Sequence, residues 1–464
     1  MAGNGDIPAW RPTARRYAGM LAMALLLATG FSAAPTVEAQ GAEWWEQLSG
    51  FGSPSTAQRR RPSSEGKAEA ARREFEDLRP NAYPWLSEEV VNAIDGAIAR
   101  YEKIAERGGW QPIPRGRTIR PGDDDERIAL VKKRLRATGE LARTDDYFET
   151  LALDDTVEQA VRKFQRRNGL RVTGRVDRAT VDALNVSAAD RVNQLKVNRQ
   201  RIIDLMQPRT DERYVLVNVP AFELEAVERY EVRQRHRVIV GREGRETPQL
   251  RGTIKALNFF PYWRVPTSVA TLDLIPRLRK EPEYLDKEGI RVYDGSYDGP
   301  EIPATQIDWN AVDQNRIRFK QDPGDRNALG LIRLDMSNEH GVYMHDTPMK
   351  NLFEQRGRAF SAGCVRVQGV VDLAQWIAQG EIGWDQPDRV RGVLEAGQAL
   401  DLPLTRPVPV IFAYITAWAE PDGDIQFRPD LYGHDGAANQ VAAGHAPGET
   451  DPDAPPPPPN GIAP

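Results

Sequence analysis

The chain has 464 residues, with 62 Lys and Arg against 67 Asp and Glu, 35 Pro, 38 Gly, five His and one Cys. Because a domain usually has about 100–200 residues, this length predicts two or three folded units joined by linkers. The net charge of −5 argues against a nucleic-acid-binding protein, which would carry a basic excess on one face. The single Cys, Cys364, excludes an intrachain disulfide.

Residues 1–39 have the features of a cleaved secretory signal. Three arginines precede an apolar stretch at 18–31, and the small-residue site Val37-Glu38-Ala39 follows it. The apolar stretch is shorter than the roughly 20 residues that cross a bilayer as a helix. We therefore expect an exported protein of the periplasm or cell envelope. An uncleaved signal, which would act as a membrane tether, is the alternative.

The next two segments differ in their content of apolar residues. Residues 40–82 are polar, carry the basic triplet Arg59-Arg60-Arg61 and predict a flexible linker. Residues 83–122 predict a helical scaffold segment, because Ser87 can cap a helix whose apolar residues recur at helical spacing. These apolar residues are Val90, Ile94, Ile98, Tyr101 and Ile104.

A compact unit of three helices is predicted at 123–186. Its first two helices carry apolar stripes, formed by Ile128, Val131 and Leu135 and by Val157, Ala160, Val161 and Phe164. Thr156 and Gln159 fit a capping box at the start of the second helix. The string from Ala160 to Gln165, with Gly169-Leu170, Gly174 and Asp177, resembles the peptidoglycan-binding domain of many exported cell-wall enzymes. A helical spacer that binds nothing is the alternative.

Residues 187–212 predict a helical connection, and the sequence pattern then changes. Short β-branched runs bounded by turn residues predict a mostly β domain at 213–434. The runs are 214–219, 222–224, 238–240, 330–334, 341–344 and 408–416. Residues 271–325 interrupt them with apolar residues at helical spacing and a polar, Gly-rich loop, which predicts an insertion that caps the site. The alternative is that residues 271–325 form a surface segment that does not cover the site. Residues 435–464 predict a disordered, Pro-rich tail.

Cys364 is the candidate nucleophile of the chain. A free thiol has a pKa of about 8.5, and the thiolate rather than the thiol attacks, so a base is needed. His345 ends a predicted strand 19 residues earlier and can take the thiol proton, form an ion pair and return a proton to a leaving group. The backbone N–H groups of Gly363 and Cys364 can stabilise an oxyanion. Arg366 can hold a substrate carboxylate.

Each of these residues also has an ordinary structural explanation. A lone Cys is commonly an inert, buried small hydrophobe. His345 alone could be a core histidine, and Arg366 alone could form a surface ion pair. The position of Cys364 among Ser, Gly and Arg rather than in an apolar run favours the catalytic explanation.

Two strings carry a family resemblance. Met344-His345-Asp346-Thr347 and Ser361-Ala362-Gly363-Cys364-Val365-Arg366 resemble the signature of L,D-transpeptidases with a YkuD-type catalytic domain. Segments similar to the large subgroup, which carries a peptidoglycan-binding domain and a capping insertion, are 260–266, 320–330, 417–418 and 427–433. Many relatives have His immediately before the Gly-Cys pair, whereas this chain has Ala362, so His345 is its only motif histidine.

The resemblance implies an α+β multidomain fold. Its parts are a mostly β YkuD-like catalytic domain with an inserted capping subdomain, a small three-helix peptidoglycan-binding domain and helical scaffold segments. It also implies a peptidoglycan L,D-transpeptidase that needs no cofactor and no metal. Cys364 would attack the bond before the terminal D-Ala of a tetrapeptide stem. An amine of a second stem would then resolve the thioester as a 3→3 cross-link.

The same resemblance implies roles for the residues around Cys364. His345 is the general base and acid, and the backbone carbonyl of Asp346 orients its ring. Tyr343 lines the catalytic pocket and assists the oxyanion, with ordinary strand packing as the alternative. Arg366 and Ser361 lie near the substrate.

Three alternatives stay open at this level. The acyl acceptor could be water, giving a carboxypeptidase or amidase, or a protein amine, attaching a protein to the wall. A zinc-dependent cell-wall peptidase is the second alternative, although the spacing of its candidate ligands fits no standard zinc pattern. Those candidates are His236, Glu339, His340, His345 and Asp346. A non-catalytic wall-binding protein is the third. The expected partners are peptidoglycan stem peptides and other cell-wall synthesis proteins, not nucleic acid.

Overall fold

The computed structural model describes residues 83–142, 150–207 and 212–436. The expected signal at 1–39, the linker at 40–82 and all but the first two residues of the predicted tail lie outside the described residues. Within the described ranges, no helix is both long and apolar enough to cross a membrane.

Two helices form a scaffold beside the β domain. They are α1 (Glu88–Glu106) and, later in the chain, α5 (Ala188–Leu205). Helix α1 begins at the predicted residue, because the Ser87 hydroxyl accepts a hydrogen bond from the Val90 N–H at 3.3 Å. Its apolar face packs against α5 and against Trp418 and Phe427 near the end of the described chain. The helical stripe read from the sequence is therefore the buried face of α1.

The three-helix unit consists of α2 (Arg127–Thr138), α3 (Asp155–Arg167) and α4 (Arg178–Leu184), which share one apolar core. The predicted start of α3 at Thr156 is wrong by two residues. Asp154 is the N-cap, and its carboxylate accepts from the Val157 N–H at 3.0 Å. A carboxylate at this end also interacts favourably with the helix dipole, which explains why Asp154 rather than Thr156 caps the helix.

The helical unit is docked on the β domain by arginines. Arg167 Nε donates to the Ile425 carbonyl at 2.8 Å, and Arg356 Nε donates to the Gly169 carbonyl at 2.5 Å. Arg191 of the scaffold helix α5 joins the two parts, because it donates to Asn168 Oδ1 at 2.8 Å and its guanidinium lies 4.2 Å from the centre of the Phe427 ring. Arg356 belongs to the segment between His345 and Cys364, so the helical unit contacts the chain that joins the two candidate catalytic residues.

Fifteen strands follow. They are β1 (Arg213–Asn218), β2 (Glu223–Glu228), β3 (Glu231–Gly241), β4 (Leu250–Phe259), β5 (Trp263–Arg264), β6 (Ile290–Asp294), β7 (Glu301–Ile302), β8 (Ile317–Gln321), β9 (Ile332–Met336), β10 (Met344–His345), β11 (Ala359–Ser361), β12 (Val365–Val367), β13 (Leu400–Ala413), β14 (Ala417–Ala419) and β15 (Ile425–Phe427). The helices among them are α6 (Thr267–Val269), a π-helix (Ala270–Leu274), α7 (Ile275–Leu278), α8 (Tyr284–Glu288), α9 (Val370–Ala378) and α10 (Arg389–Glu395).

Eight of these strands close into a barrel-like sheet. The order is β1, β2, β3, β12, β10, β9, β4, β13 and back to β1, and β11 is added at the end of β3. The pairs β10–β12 and β1–β13 are parallel, and the other neighbours in the ring are antiparallel. Side chains that alternate along each strand fill the interior, among them Val215, Leu224, Val240, Leu334 and Met344. Helix α9 covers part of this core with Leu373 and Trp376.

A separate small sheet caps one side of the barrel. Its strand order is β5, β8, β6, β7, and with the helices of 267–288 it forms its own apolar core around Trp263, Leu274 and Phe319. The insertion was predicted to begin at 271, and its strands were not predicted. Because Trp263 pairs with Gln321, the sheet begins upstream of the predicted boundary. A pairing between residues this far apart is not visible in a local pattern.

Candidate active site

The register of β10 and β12 brings two of the candidate residues together. In the parallel pair β10–β12, Met344 lies opposite Val365 and His345 lies opposite Arg366. Met344 and Val365 are fully buried in the barrel core. Since side chains alternate along a strand, His345 and Arg366 point to the other face. Cys364 directly precedes β12 and belongs to the barrel core, where Tyr343 and Arg366 act on its pKa. Tyr343 packs against the apolar core of the cap.

His345 is held as a neutral imidazole in one tautomer. Its Nδ1 lies 2.5 Å from the Asp346 carbonyl oxygen, so Nδ1–H donates and Nε2 carries the free lone pair. Among the described residues, Nε2 has no hydrogen-bond partner. Complete burial, reinforced by the positive charges of Arg366 and Arg333, lowers the pKa of His345 to about 3. At neutral pH the ring is therefore neutral, with a free lone pair on Nε2, but it is a weak base, and Cys364 Sγ is not hydrogen-bonded to it in this structure.

Cys364 is held as a neutral thiol. Burial raises its pKa to about 11, although hydrogen bonds from Tyr343 and the charge of Arg366 favour the thiolate. The side chain is only 6% exposed. The ion pair expected from the sequence is thus not the resting state in this structure. The proton must leave Sγ as the new bond forms, or after a substrate has changed the surroundings.

The turn before Cys364 is built on hydroxyl hydrogen bonds. Gly363 has φ = +120°, a left-handed conformation that favours glycine. Its N–H donates to Ser361 Oγ at 3.1 Å, and the Ser361 hydroxyl donates to the Cys364 carbonyl at 2.5 Å. Two sequence-based roles need correction here. The Gly363 N–H is used inside the turn rather than offered to an oxyanion, and Ser361 is fully buried as a brace of the turn rather than presented to a substrate.

The Asp346 side chain fixes the start of β9 beside His345. Its carboxylate accepts from the Leu331 N–H at 3.0 Å and forms an ion pair with Lys350. Gly330, at φ = +61°, lies so close that a Cβ there would be 2.6 Å from Asp346 Cβ. Glycine is therefore required at position 330. Asp346 links β10 to the start of β9 through its side chain and contacts His345 through its backbone carbonyl.

Tyr343 stands between the thiol and the cap. Its ring lies 5.6 Å from the imidazole of His345, centre to centre. Burial, together with the neighbouring Cys364, raises the pKa of Tyr343 well above its usual value. The hydroxyl consequently stays protonated and can donate a hydrogen bond.

Two arginines, Arg366 and Arg333, supply positive charge near His345, and only Arg366 was predicted from the sequence. Arg366 is 1% exposed, and within the described chain its Nε and Nη2 have no partner. Burial lowers its pKa to about 10. Arg333 pairs with His345 across β9 and β10, and its side chain bonds to Asn258 at 3.0 Å and to Asp335 at 3.1 Å. The alternation of Ile332, Arg333 and Leu334 was the available signal, but only the strand pairing locates Arg333 at the site.

The candidate zinc ligands do not form a cluster. His236 bonds through Nδ1 to the Gln368 carbonyl at 2.8 Å and through Nε2 to Gln234 at 2.9 Å. Glu339 and His340 are exposed neighbours of each other. Among the residues that the structure describes, no group of three or more His, Cys, Asp or Glu could hold a metal ion.

Comparisons with known proteins agree with this arrangement. Residues 212–391 match the YkuD family, described as "L,D-transpeptidase catalytic domain", and residues 124–184 match the family described as "Putative peptidoglycan binding domain". One region of the chain is therefore similar to YkuD L,D-transpeptidase catalytic domains and another to peptidoglycan-binding domains. The family resemblance and the α+β multidomain fold are confirmed.

Individual relatives are similar over part of their length. A Haemophilus influenzae protein named "Putative L,D-transpeptidase" is 32% identical over 226 residues, which are 48% of this chain and 45% of that protein. The chain thus spans less than half the length of this curated relative. Among solved structures, an L,D-transpeptidase from Stackebrandtia nassauensis is 14% identical with a TM-score of 0.23, covering 65% of this chain and 95% of that one. One from Mycobacterium smegmatis is 13% identical with a TM-score of 0.22, covering 43% and 58%.

Proposed function

We propose that this protein is a peptidoglycan L,D-transpeptidase that uses Cys364 as its nucleophile. The observation that carries the proposal is the register of β10 and β12, which sets His345 opposite Arg366, two residues after Cys364. Arg366 and Tyr343 both act on the pKa of the Cys364 thiol. The family match over 212–391 supports the same reaction class. The peptidoglycan-binding domain supports peptidoglycan as the substrate.

The first half-reaction forms a thioester. Sγ of Cys364 attacks the carbonyl carbon between the third stem residue and the terminal D-Ala, and His345 Nε2 takes the thiol proton. The tetrahedral oxyanion accepts hydrogen bonds from backbone N–H and from the Tyr343 hydroxyl. The imidazolium then donates its proton to the D-Ala nitrogen as the C–N bond breaks. D-Ala leaves, and the stem remains bonded to Sγ.

The second half-reaction transfers the stem to an acceptor. An amine of a second stem attacks the thioester carbonyl and gives a proton to His345, which returns it to Sγ as the C–S bond breaks. The product is a 3→3 cross-link. If water replaces the amine, the same atoms perform hydrolysis, and if a protein amine replaces it, the protein is attached to the wall. Acceptor choice depends on the cap, not on the nucleophile.

Arg366 is the proposed anchor for a carboxylate of the donor stem. A guanidinium with two nitrogens that lack partners in the described structure, next to the nucleophile, offers a fork for bidentate binding. A carboxylate placed there would satisfy the buried charge. The proposal also locates the protein in the cell envelope, where its substrate is, with other wall-synthesis proteins as further partners.

Intact-mass measurement with a carbapenem tests the nucleophile. A carbapenem is a reactive acyl donor, and we expect one covalent adduct on the wild type and none on Cys364→Ala. His345→Gln should slow adduct formation strongly, whereas His340→Gln, which changes an exposed histidine near the same strand, should not. An unmodified wild type would overturn the mechanism. Inactivation by a chelator combined with resistance to thiol alkylation would favour the zinc peptidase instead.

Product analysis tests the acceptor. Incubation with tetrapeptide-bearing muropeptides should yield 3→3 dimers and free D-Ala in equal amounts. Free D-Ala with tripeptide monomers and no dimers would indicate hydrolysis. Free D-Ala together with a stem–protein conjugate, formed only when a protein amine is supplied, would indicate protein attachment.

A further inference from the structure

Thr247 contacts the backbone of the nucleophile turn. It lies in the loop between β3 and β4 and is 2% exposed. Its Oγ1 accepts from the Gly241 N–H at 2.8 Å and donates to the Gly363 carbonyl at 2.8 Å. The Thr247 side chain therefore binds the peptide group that joins Gly363 to Cys364.

This hydrogen bond fixes the direction of the Cys364 N–H. The Gly363 carbonyl and the Cys364 N–H belong to one planar trans peptide, so they point in opposite directions. A carbonyl held by Thr247 therefore turns the Cys364 N–H away from Thr247. Gly363 has φ = +120°, where rotation is easy for glycine, so this peptide needs an external restraint.

The other polar groups of the turn are already engaged. Ser361 binds the Gly363 N–H at 3.1 Å and the Cys364 carbonyl at 2.5 Å. Of the N–H and carbonyl groups of Gly363 and Cys364, the Cys364 N–H is the one for which the described part of the chain supplies no acceptor. It is the donor that remains for a developing oxyanion on the carbon that Sγ attacks.

We propose that Thr247 is a positioning residue that aims the Cys364 N–H at the substrate carbonyl oxygen. This role rests on the proposed acyl transfer by Cys364. Thr247 touches neither the substrate nor Sγ; it acts through the peptide plane of Gly363–Cys364. Of the two oxyanion donors expected from the sequence, Gly363 and Cys364, the Cys364 N–H is the one that stays available, because the Gly363 N–H binds Ser361 Oγ.

The C-terminal segment holds Thr247 in place. The Tyr432 hydroxyl donates to the Gly241 carbonyl at 2.6 Å and accepts from the Thr247 N–H at 3.3 Å. The Tyr432 N–H in turn donates to the Tyr414 hydroxyl at 2.7 Å. The loop has little freedom, because a Cβ on Gly241 would lie 2.1 Å from the Arg245 carbonyl oxygen. Tyr432 therefore extends the restraint on the nucleophile turn to the end of the described chain.

Two reactions of the Cys364 sulfur distinguish a positioning role of Thr247 from a general disturbance of the site. Acylation by a carbapenem passes through an oxyanion, whereas alkylation by iodoacetamide does not. For Thr247→Val, which keeps the shape and removes the hydroxyl, we expect acylation to slow by at least about tenfold, toward the 10²–10³-fold loss typical of a removed oxyanion donor. Alkylation should stay within about twofold of the wild type, since the thiol and its base are unchanged. Thr247→Ser keeps the hydroxyl and should restore acylation.

Two further variants complete the test. Thr180→Val removes a hydroxyl that is equally buried but lies in the helical unit, and it should alter neither reaction. Tyr432→Phe leaves Thr247 intact while loosening its loop, so it should slow acylation by less than Thr247→Val does. It also keeps the test informative if Thr247→Val does not fold.

The possible results separate this role from the proposed function. Wild-type acylation by Thr247→Val, or equal loss of acylation and alkylation, would overturn the positioning role and leave the function standing. If Thr247→Val is not folded, undiminished acylation by Tyr432→Phe would overturn the role. A wild type that is never acylated would overturn the proposed function and this role with it.

Discussion

Arg366 offers a test in which stability and activity should change in opposite directions. The perturbation is Arg366→Met, which keeps most of the side-chain length and removes the charge. Burial lowers the pKa of Arg366 from its usual 12.5 to about 10. At about 1.4 kcal/mol for each pH unit, holding this charge in the free protein costs roughly 3 kcal/mol. Nε and Nη2 have no partner in the described structure to offset that cost.

We therefore expect Arg366→Met to stabilise the fold by about 1–3 kcal/mol, since an apolar side chain of similar volume often replaces an unpaired buried charge favourably. For a domain of this size, that corresponds to an increase in Tm of several degrees, at about 2–4 °C per kcal/mol. Donor acylation should fall by about 30-fold or more, because a buried contact between charges is worth about 2 kcal/mol or more. Urea unfolding and stopped-flow acylation measure the two quantities.

Arg358→Met is the matched control. Arg358 is also buried, but its nitrogens donate to the Val238, Gln355 and Phe222 carbonyls at 3.2, 2.9 and 3.0 Å. Its removal leaves three acceptors unsatisfied and should lower stability. If Arg366→Met lowered stability like Arg358→Met, or left acylation intact, the assignment of Arg366 as an anchor for a carboxylate would be refuted.

Three further predictions concern the thiol, the imidazole and the cap. Because the pKa of Cys364 is raised to about 11, its alkylation by iodoacetamide should accelerate roughly tenfold per pH unit between about pH 7 and 10. The folded-state pKa of His345 is depressed from its usual 6.5 to about 3, so the wild type should lose stability as pH falls below 6.5, by roughly 3 kcal/mol at about pH 4.5. His345→Gln should lose less over that range, as measured by urea unfolding. Asp273 of the cap pairs with Arg242 at 2.9 Å and with Arg245. Asp273→Asn should loosen the cap and speed alkylation of Cys364 several-fold.

Each of these predictions has a contrary result. A plateau in the alkylation rate below pH 8 would mean that a thiolate–imidazolium pair exists at rest. Equal acid sensitivity of the wild type and His345→Gln would mean that other groups control the loss of stability. Glu281→Gln removes an ion pair with Arg277 inside the cap. Equal effects of Glu281→Gln and Asp273→Asn on alkylation would mean that the pairs of Asp273 with Arg242 and Arg245 do not hold the cap over Cys364.

The sequence alone determined the features that depend on neighbouring residues. The helix at 88–106 follows from the N-cap at Ser87 and from apolar residues at helical spacing. Both signals involve only residues that are close in the sequence. The strings around His345 and Cys364 were recognisable because nucleophile, base and turn residues lie at short, fixed spacings. These features led to the family, and the family match over 212–391 agrees with them.

Only the tertiary structure decided the features that depend on distant pairings. Arg333 reaches the site through β9, the cap begins at Trp263 because Gln321 pairs with it, and Thr247 reaches Gly363 across 116 positions. The same holds for the protonation states of Cys364 and His345, because desolvation depends on everything packed around a group. The single Cys pointed to the candidate nucleophile. The reactivity of its sulfur is set by burial, charge and peptide orientation that the fold imposes.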